Sequence, residues 1–174
     1  MKTRTKLIYL VIWCLFITAL PASAQKILAF STAKHELSDP ATKDIFKLTL
    51  TGVSLMKSEA TFEITNSKGV RIYYEKFKGL WLSNELETDG FSVKQEEDYI
   101  RKRVKEFFSE KNFLKPAIGV KDMTDSDYSD MKLWNEIRAN PRAIGFSYLL
   151  SYENNRKIAW SKQLKKVVVY WGCC

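Results

Sequence analysis

The sequence predicts an α+β fold in which one antiparallel sheet of about six strands carries two helices on one of its faces. Alternating apolar and polar residues mark three strands before the middle of the chain and three more in its last third, and two segments with helical spacing lie between them. The chain has 174 residues, of which 45% are hydrophobic and 13% aromatic, so it can form one domain with a large core.

Residues 1–24 have the features of a secretory signal peptide. Basic residues precede an apolar run over 7–20, and the small residues Ala22-Ser23-Ala24 follow it. The run of about 14 residues is shorter than the roughly 20 that a membrane-spanning helix needs. We therefore expect cleavage after Ala24, a periplasmic or extracellular location, and no stable membrane insertion of the mature chain.

The charge distribution argues against a nucleic acid partner. The formal net charge is +8, with 28 Lys and Arg against 20 Asp and Glu. Cleavage after Ala24 would lower it to +5, because three cations and no acids lie in the removed segment. The remaining cations are interleaved with acids, whereas nucleic-acid-binding domains concentrate them on one face or helix.

Residues 25–43 are predicted to form an irregular N-terminal leader, followed by a single α+β domain over 44–174. Regular structure is expected to begin near Ile45, where strict alternation starts. The first three strands form a predicted meander over residues 45–51, 60–65 and 70–75.

The turn before the third strand is well marked. Asn66-Ser67-Lys68-Gly69 favours a tight hairpin, since Asn and Gly accept positive φ. In the strand that follows, Val70, Ile72 and Tyr74 are expected to share one face, and Tyr73 the opposite one.

Two helices are predicted between the groups of strands. Ser92 and Gln95 have the spacing of a capping box, and Lys115-Pro116 lies beyond the end of that helix. A second, shorter helix is expected over about 129–139, ended by Asn140-Pro141.

Three strands are expected in the last third of the chain. The first covers residues 144–150, and Glu153-Asn154-Asn155-Arg156 is predicted to form the hairpin turn after it. Residues 167–171 are apolar at successive positions, which predicts a strand that is covered on both sides or central in the sheet.

The sequence lacks the residues that several common classes of enzyme need for catalysis. The single histidine, His35, lies in the polar leader and is expected to be a solvated loop residue, which disfavours Ser-His-Asp and Cys-His hydrolases. Neither G-x-G-x-x-G nor G-x-x-x-x-G-K occurs, which argues against nucleotide cofactors. We therefore predict no cofactor and favour a role other than catalysis.

Four aspartates, Asp122, Asp125, Asp127 and Asp130, lie close together before the second helix. Calcium prefers closely spaced carboxylate and carbonyl oxygens, so this loop is a candidate for a weak calcium site. The central Gly and terminal Glu of an EF-hand loop are missing. The alternative is that these residues cap the helix, a role for which Asp127 and Ser129 are suited.

The chain ends in Gly172-Cys173-Cys174. In an oxidising compartment Cys173 and Cys174 could form a vicinal disulfide, bond to another chain, or hold a soft metal such as Cu(I). An inert terminus packed against the sheet is the remaining alternative. One histidine and two adjacent cysteines do not supply the spaced ligands of a zinc site.

The sequence thus favours an exported binding protein that contacts another protein or a cell-envelope component, and inhibitors or immunity proteins belong to this class. Aromatic residues support it, because Tyr73 and Tyr170 are out of phase with their apolar neighbours and are expected on an exposed outer face. The alternative is that the leader or a second layer covers them. One alternative is a polysaccharide hydrolase with two carboxylates about 5–10 Å apart across a groove. The other is a thiol- or soft-metal-handling protein that uses Cys173 and Cys174.

Overall fold

The computed structural model describes residues 25–84, 88–124, 126–151 and 154–173. Within these residues the chain forms two four-stranded antiparallel sheets and two α-helices. The mixture of helices and antiparallel strands agrees with the predicted α+β class. The prediction of one sheet of about six strands is wrong, because each group of strands forms a sheet of its own.

The first sheet is a meander of four strands in chain order. Its strands are β1 (Ile27–His35), β2 (Asp44–Gly52), β3 (Ser58–Thr65) and β4 (Arg71–Lys78). The last three contain the predicted meander. The expectation that regular structure begins near Ile45 is wrong, since β1 lies in the predicted leader and pairs with β2 along its length.

The second sheet is another meander in chain order. Its strands are β5 (Phe113–Leu114), β6 (Gly145–Ser151), β7 (Asn154–Ser161) and β8 (Lys166–Cys173). β7 already begins at Asn154, inside the segment predicted as a turn. β8 lies at an edge of its sheet, so the prediction of a central strand is wrong. Both faces of β8 are nevertheless covered, because residues of this strand belong to two different cores.

The prediction that both α-helices pack on one face of a sheet is wrong, because each helix packs into a different core. They are α1 (Val93–Glu106) and α2 (Met131–Arg138). The capping box of α1 is confirmed, with Ser92 and Gln95 each accepting a backbone hydrogen bond from the other. Three short 3-10 helices cover Leu55–Lys57, Gly79–Ser83 and Glu110–Asn112. No α-helix of the described ranges is long and apolar enough to cross a membrane.

The main core lies between the two sheets and is rich in aromatic rings. Phe62 of β3 lies 5.7 Å from Phe146 and 5.3 Å from Tyr148, both on β6, measured between ring centroids. Ile100 and Val104 of α1 pack into the same core. Each sheet has one apolar face, and the two faces exclude water by packing on each other.

A second, smaller core lies on the other side of the second sheet. There α2 contributes Trp134 and Ile137, which pack with Ala159 and Tyr170. The Tyr170 hydroxyl donates a 2.6 Å hydrogen bond to the carbonyl of Ala117. The second sheet is therefore covered on both sides.

The main core generates the first prediction. Phe62 is fully buried, so Phe62→Ala removes a ring from between the sheets and should lower the free energy of unfolding by about 3–5 kcal/mol. Urea denaturation measures this change. Phe30→Ala is the matched control, because Phe30 is 65% exposed, and it should change stability by less than about 0.5 kcal/mol. Equal effects of the two substitutions would contradict the description of the core.

Candidate ligand-binding site

A cleft surrounds Trp160, which lies on β7 and is half-buried. Two hollows, of about 180 and 290 Å³, share Asn140, Trp160 and Lys162 in their linings. Together we call them the Trp160 cleft. Its walls come from three connections: residues 36–40 between β1 and β2, residues 136–144 around the end of α2, and residues 162–163 after β7.

The wall formed by the β1–β2 connection is fixed by a buried carboxylate. Asp44, at the start of β2, is fully buried. It accepts hydrogen bonds from the Leu37 amide at 3.1 Å, the Ser38 amide at 2.6 Å and the Ser38 hydroxyl at 2.8 Å. Because three donors converge on one carboxylate, this connection is held in a single conformation beside the cleft.

A second wall of the cleft is fixed by Glu136 near the end of α2. Its carboxylate accepts a 2.7 Å hydrogen bond from the Ser161 hydroxyl and a 3.0 Å hydrogen bond from the Gln163 amide. These contacts join α2 to the turn between β7 and β8. Two walls of the Trp160 cleft are therefore each held by a hydrogen-bonded carboxylate.

Charged side chains of both signs line the cleft. Glu36 and Arg142 line the smaller hollow, Glu136 the larger, and Lys162 both. A backbone hydrogen bond lowers the pKa of Glu36, and nearby positive charge, including that of Lys43, adds to this effect. Glu36 is therefore ionised at neutral pH and accepts hydrogen bonds.

His35 is not the solvated loop residue that was predicted. It ends β1, is buried, and stacks on Phe113 with 3.9 Å between ring centroids. Its Nε2 atom lies 3.5 Å from a carboxylate oxygen of Glu110. The pairing of β1 with β2 places this histidine under the second sheet, because the strand continues through the predicted leader.

Between the two sheets lies a polar network that the sequence does not reveal. Glu75 of β4 forms an ion pair with Arg156 of β7 and accepts a 2.5 Å hydrogen bond from the Tyr148 hydroxyl. The hydroxyls of Tyr73 and Tyr148 are 2.7 Å apart. We call these four residues the inter-sheet network, since it connects β4 of one sheet to β6 and β7 of the other.

The inter-sheet network reverses the predicted orientation of β4. Tyr73 and Glu75 face the second sheet, whereas Val70 and Tyr74 are exposed. Tyr73 and Tyr170 are thus not exposed aromatics, because the first is packed against the main core and the second is fully buried. A shift of register after Ile64 of β3 accompanies the reversed orientation.

The predicted aspartate cluster has structural partners where the structure describes it. Asp130 is the N-cap of α2 and accepts hydrogen bonds from the Lys132 and Leu133 amides, so it fills the capping role proposed for this group, for which Asp127 and Ser129 were considered suited. Asp122 accepts a 2.8 Å hydrogen bond from the Gly119 amide. Asp127 is exposed, and Asp125 lies outside the described residues. In the described part of the chain, no three His, Cys, Asp or Glu residues are grouped as metal ligands would be.

The two C-terminal cysteines are described only in part. Cys173 is the last residue of β8 and is disulfide-bonded. Cys174 lies outside the described residues. Binding of a soft metal by free thiols would first require reduction of the Cys173 bond.

Neither a protein-family model, nor a curated protein, nor a solved structure matches this chain.

Because of the inter-sheet network, the free energy of unfolding should depend on pH in the alkaline range. Burial raises the pKa of Tyr148 and of Tyr73, and the charge of Glu75 adds to the effect. The unfolded chain loses these protons near pH 10 and the folded protein does not, so the free energy of unfolding should fall above about pH 10. Each such tyrosine should contribute about 1.4 kcal/mol per pH unit.

Tyr148→Phe keeps the ring and removes one of these protons. Urea denaturation between pH 8 and 11.5 should show a shallower alkaline loss of stability in this variant than in the wild type. The two proteins should have parallel pH profiles below about pH 9, where neither tyrosine titrates. An unchanged alkaline slope would contradict the position of Tyr148 in the network.

Proposed function

We propose that the protein is an exported binding protein that takes a glycan of the cell envelope in the Trp160 cleft. The observation that carries this proposal is a half-buried tryptophan that lines two adjoining hollows, with amide and carboxylate groups in the linings of both. A sugar ring has an apolar C–H face that packs on an aromatic ring, while its hydroxyl groups hydrogen-bond to such polar side chains.

The dimensions of the cleft support an extended ligand. The two hollows adjoin, since Asn140, Trp160 and Lys162 line both, so successive units of one chain could contact both. Hydrogen-bonded carboxylates hold both walls, through Asp44 and Glu136. A preformed cleft of this kind limits the entropy that binding costs.

Hydrolysis of the glycan is the second candidate, because Glu36 lines one hollow of the cleft and Glu136 lines the other. A glycosidase needs one carboxylic acid whose pKa is raised, so that it can protonate the leaving group. The pKa of Glu36 is instead lowered. Glu136 already accepts hydrogen bonds from Ser161 and Gln163, which suit a structural role. The geometry therefore supports binding better than catalysis.

Trp160→Ala tests the proposal. Isothermal titration with chitotetraose and cellotetraose, and co-sedimentation with insoluble peptidoglycan, should show binding by the wild type to at least one of these glycans. The substitution should weaken that binding at least tenfold, or about 1.4 kcal/mol, because it removes the ring on which a sugar would stack.

Trp81→Ala is the matched control, since Trp81 is exposed and stacks on Phe77 away from the cleft. It should leave the affinity within twofold of the wild type. Asn140→Ala gives a second test should Trp160→Ala unfold the protein. Absence of binding to all three glycans, or equal affinities of wild type and Trp160→Ala, would contradict the proposal. Release of new reducing ends that Glu136→Gln abolishes would favour the hydrolase.

A further inference from the structure

Another hollow, separate from the Trp160 cleft, lies at the C-terminal end of α1. Its volume is about 240 Å³, and α1, the 3-10 helix after it, and β6 and β7 form its lining. We call it the α1 hollow. It opens where the edge of β6 has no neighbouring strand, because β5 pairs only with Gly145 and Phe146.

Arg103 brings an unsatisfied cation to the α1 hollow. Its Nε atom is completely buried and has no hydrogen-bond partner. Across the described residues, the Arg103 guanidinium forms no hydrogen bond or ion pair. A buried donor without a partner is unfavourable, and folded proteins keep few of them unless a ligand or water completes the site.

The other charged residues leave the lining of the hollow positive. Lys111 is a second cation without an ion pair in the described part of the chain. Glu106 is the one acid among the described lining residues, and it is exposed. Behind the Tyr148 ring, the charge of Arg156 is balanced by its ion pair with Glu75. The described lining therefore has two cations and one anion.

Asn155 adds a neutral donor. Its Oδ1 atom accepts a 3.3 Å hydrogen bond from the Ser147 hydroxyl, which leaves its amide Nδ2 hydrogens for a ligand. Both residues line the hollow. Arginine, lysine and an asparagine amide together supply donors and positive charge, the combination that recognises an oxyanion.

From these contacts we propose that the α1 hollow binds a small organic oxyanion, with Arg103 as its principal ligand. The planar guanidinium matches the two oxygens of a carboxylate or phosphate group. The Phe107 and Leu149 side chains in the lining provide apolar contact for the rest of the molecule. This site does not depend on the glycan proposed for the Trp160 cleft.

The test uses inorganic phosphate and acetate as separate probes with the full mature protein. Isothermal titration at constant ionic strength should show saturable binding of at least one probe. Phosphate binding alone would identify a phosphate ligand, and acetate binding alone a carboxylate; binding of both supports the shared oxyanion chemistry. Failure of both probes to bind at 50 mM would overturn the proposal.

Arg103→Met and Lys102→Gln form a matched pair on the same helix. Arg103→Met removes the principal ligand and should lower the affinity at least tenfold. Lys102→Gln removes an exposed positive charge outside the lining and should keep the affinity within twofold. Equal losses in both variants would mean that only the overall charge attracts the anion, which would overturn the proposal.

The stability of the ligand-free protein gives a second readout. Because Arg103 has a buried donor without a partner, Arg103→Met should raise the melting temperature in buffer without oxyanion. The wild type should gain stability when phosphate or acetate is added, and the variant should not. A lower melting temperature of Arg103→Met, with unchanged anion affinity, would show that Arg103 serves the fold alone. Lys111→Gln, at an exposed position, tests the same site should Arg103→Met fail to fold.

Discussion

The packing of the two sheets on each other determines the other features of this molecule. Phe46 and Phe62 of the first sheet contact Phe146 of the second, with ring centroids 5.6 and 5.7 Å away. Apolar rings alone do not fix how one sheet lies on the other, because the hydrophobic effect has no direction. Direction comes from Glu75 and Arg156, since two charges that are partly withdrawn from water must meet to offset their desolvation.

Both proposed sites depend on this arrangement. The Trp160 cleft has one wall from the β1–β2 connection of the first sheet, whereas Trp160 itself belongs to the second. A change in the relative position of the sheets would therefore open or close the cleft. The α1 hollow includes Tyr148, whose hydroxyl is part of the inter-sheet network. The network thus connects the position of the sheets to the shape of that hollow.

Local signals in the sequence are sufficient to predict several elements of the structure. The capping box of Ser92 and Gln95, the turn at 66–69 and the alternation in β2 and β3 depend on neighbouring residues, and the structure contains all of them. β1 was not predicted, because the three consecutive apolar residues Ile27-Leu28-Ala29 interrupt the alternation of apolar and polar residues. β5 has only two residues, too few for any periodicity.

The orientation of β4 could not be predicted because adjacent Tyr73 and Tyr74 fit either face. The choice depends on the ion pair of Glu75 with Arg156, which lies 81 residues from Glu75 in the chain. The same limit applies to the candidate sites. Trp160 and Arg103 were visible as residue types, but their surroundings come from segments distant in sequence.

A double-mutant cycle on Glu75 and Arg156 tests the central claim most directly. The free energy of unfolding is measured by urea denaturation for the wild type, Glu75→Gln, Arg156→Gln and the double variant. Each single substitution leaves a partly buried charge without its partner, so the double variant should lose less stability than the two single losses combined. We expect a coupling free energy of about 0.5–3 kcal/mol. Strictly additive losses would show that the two sheets are not joined by this pair and would contradict the account.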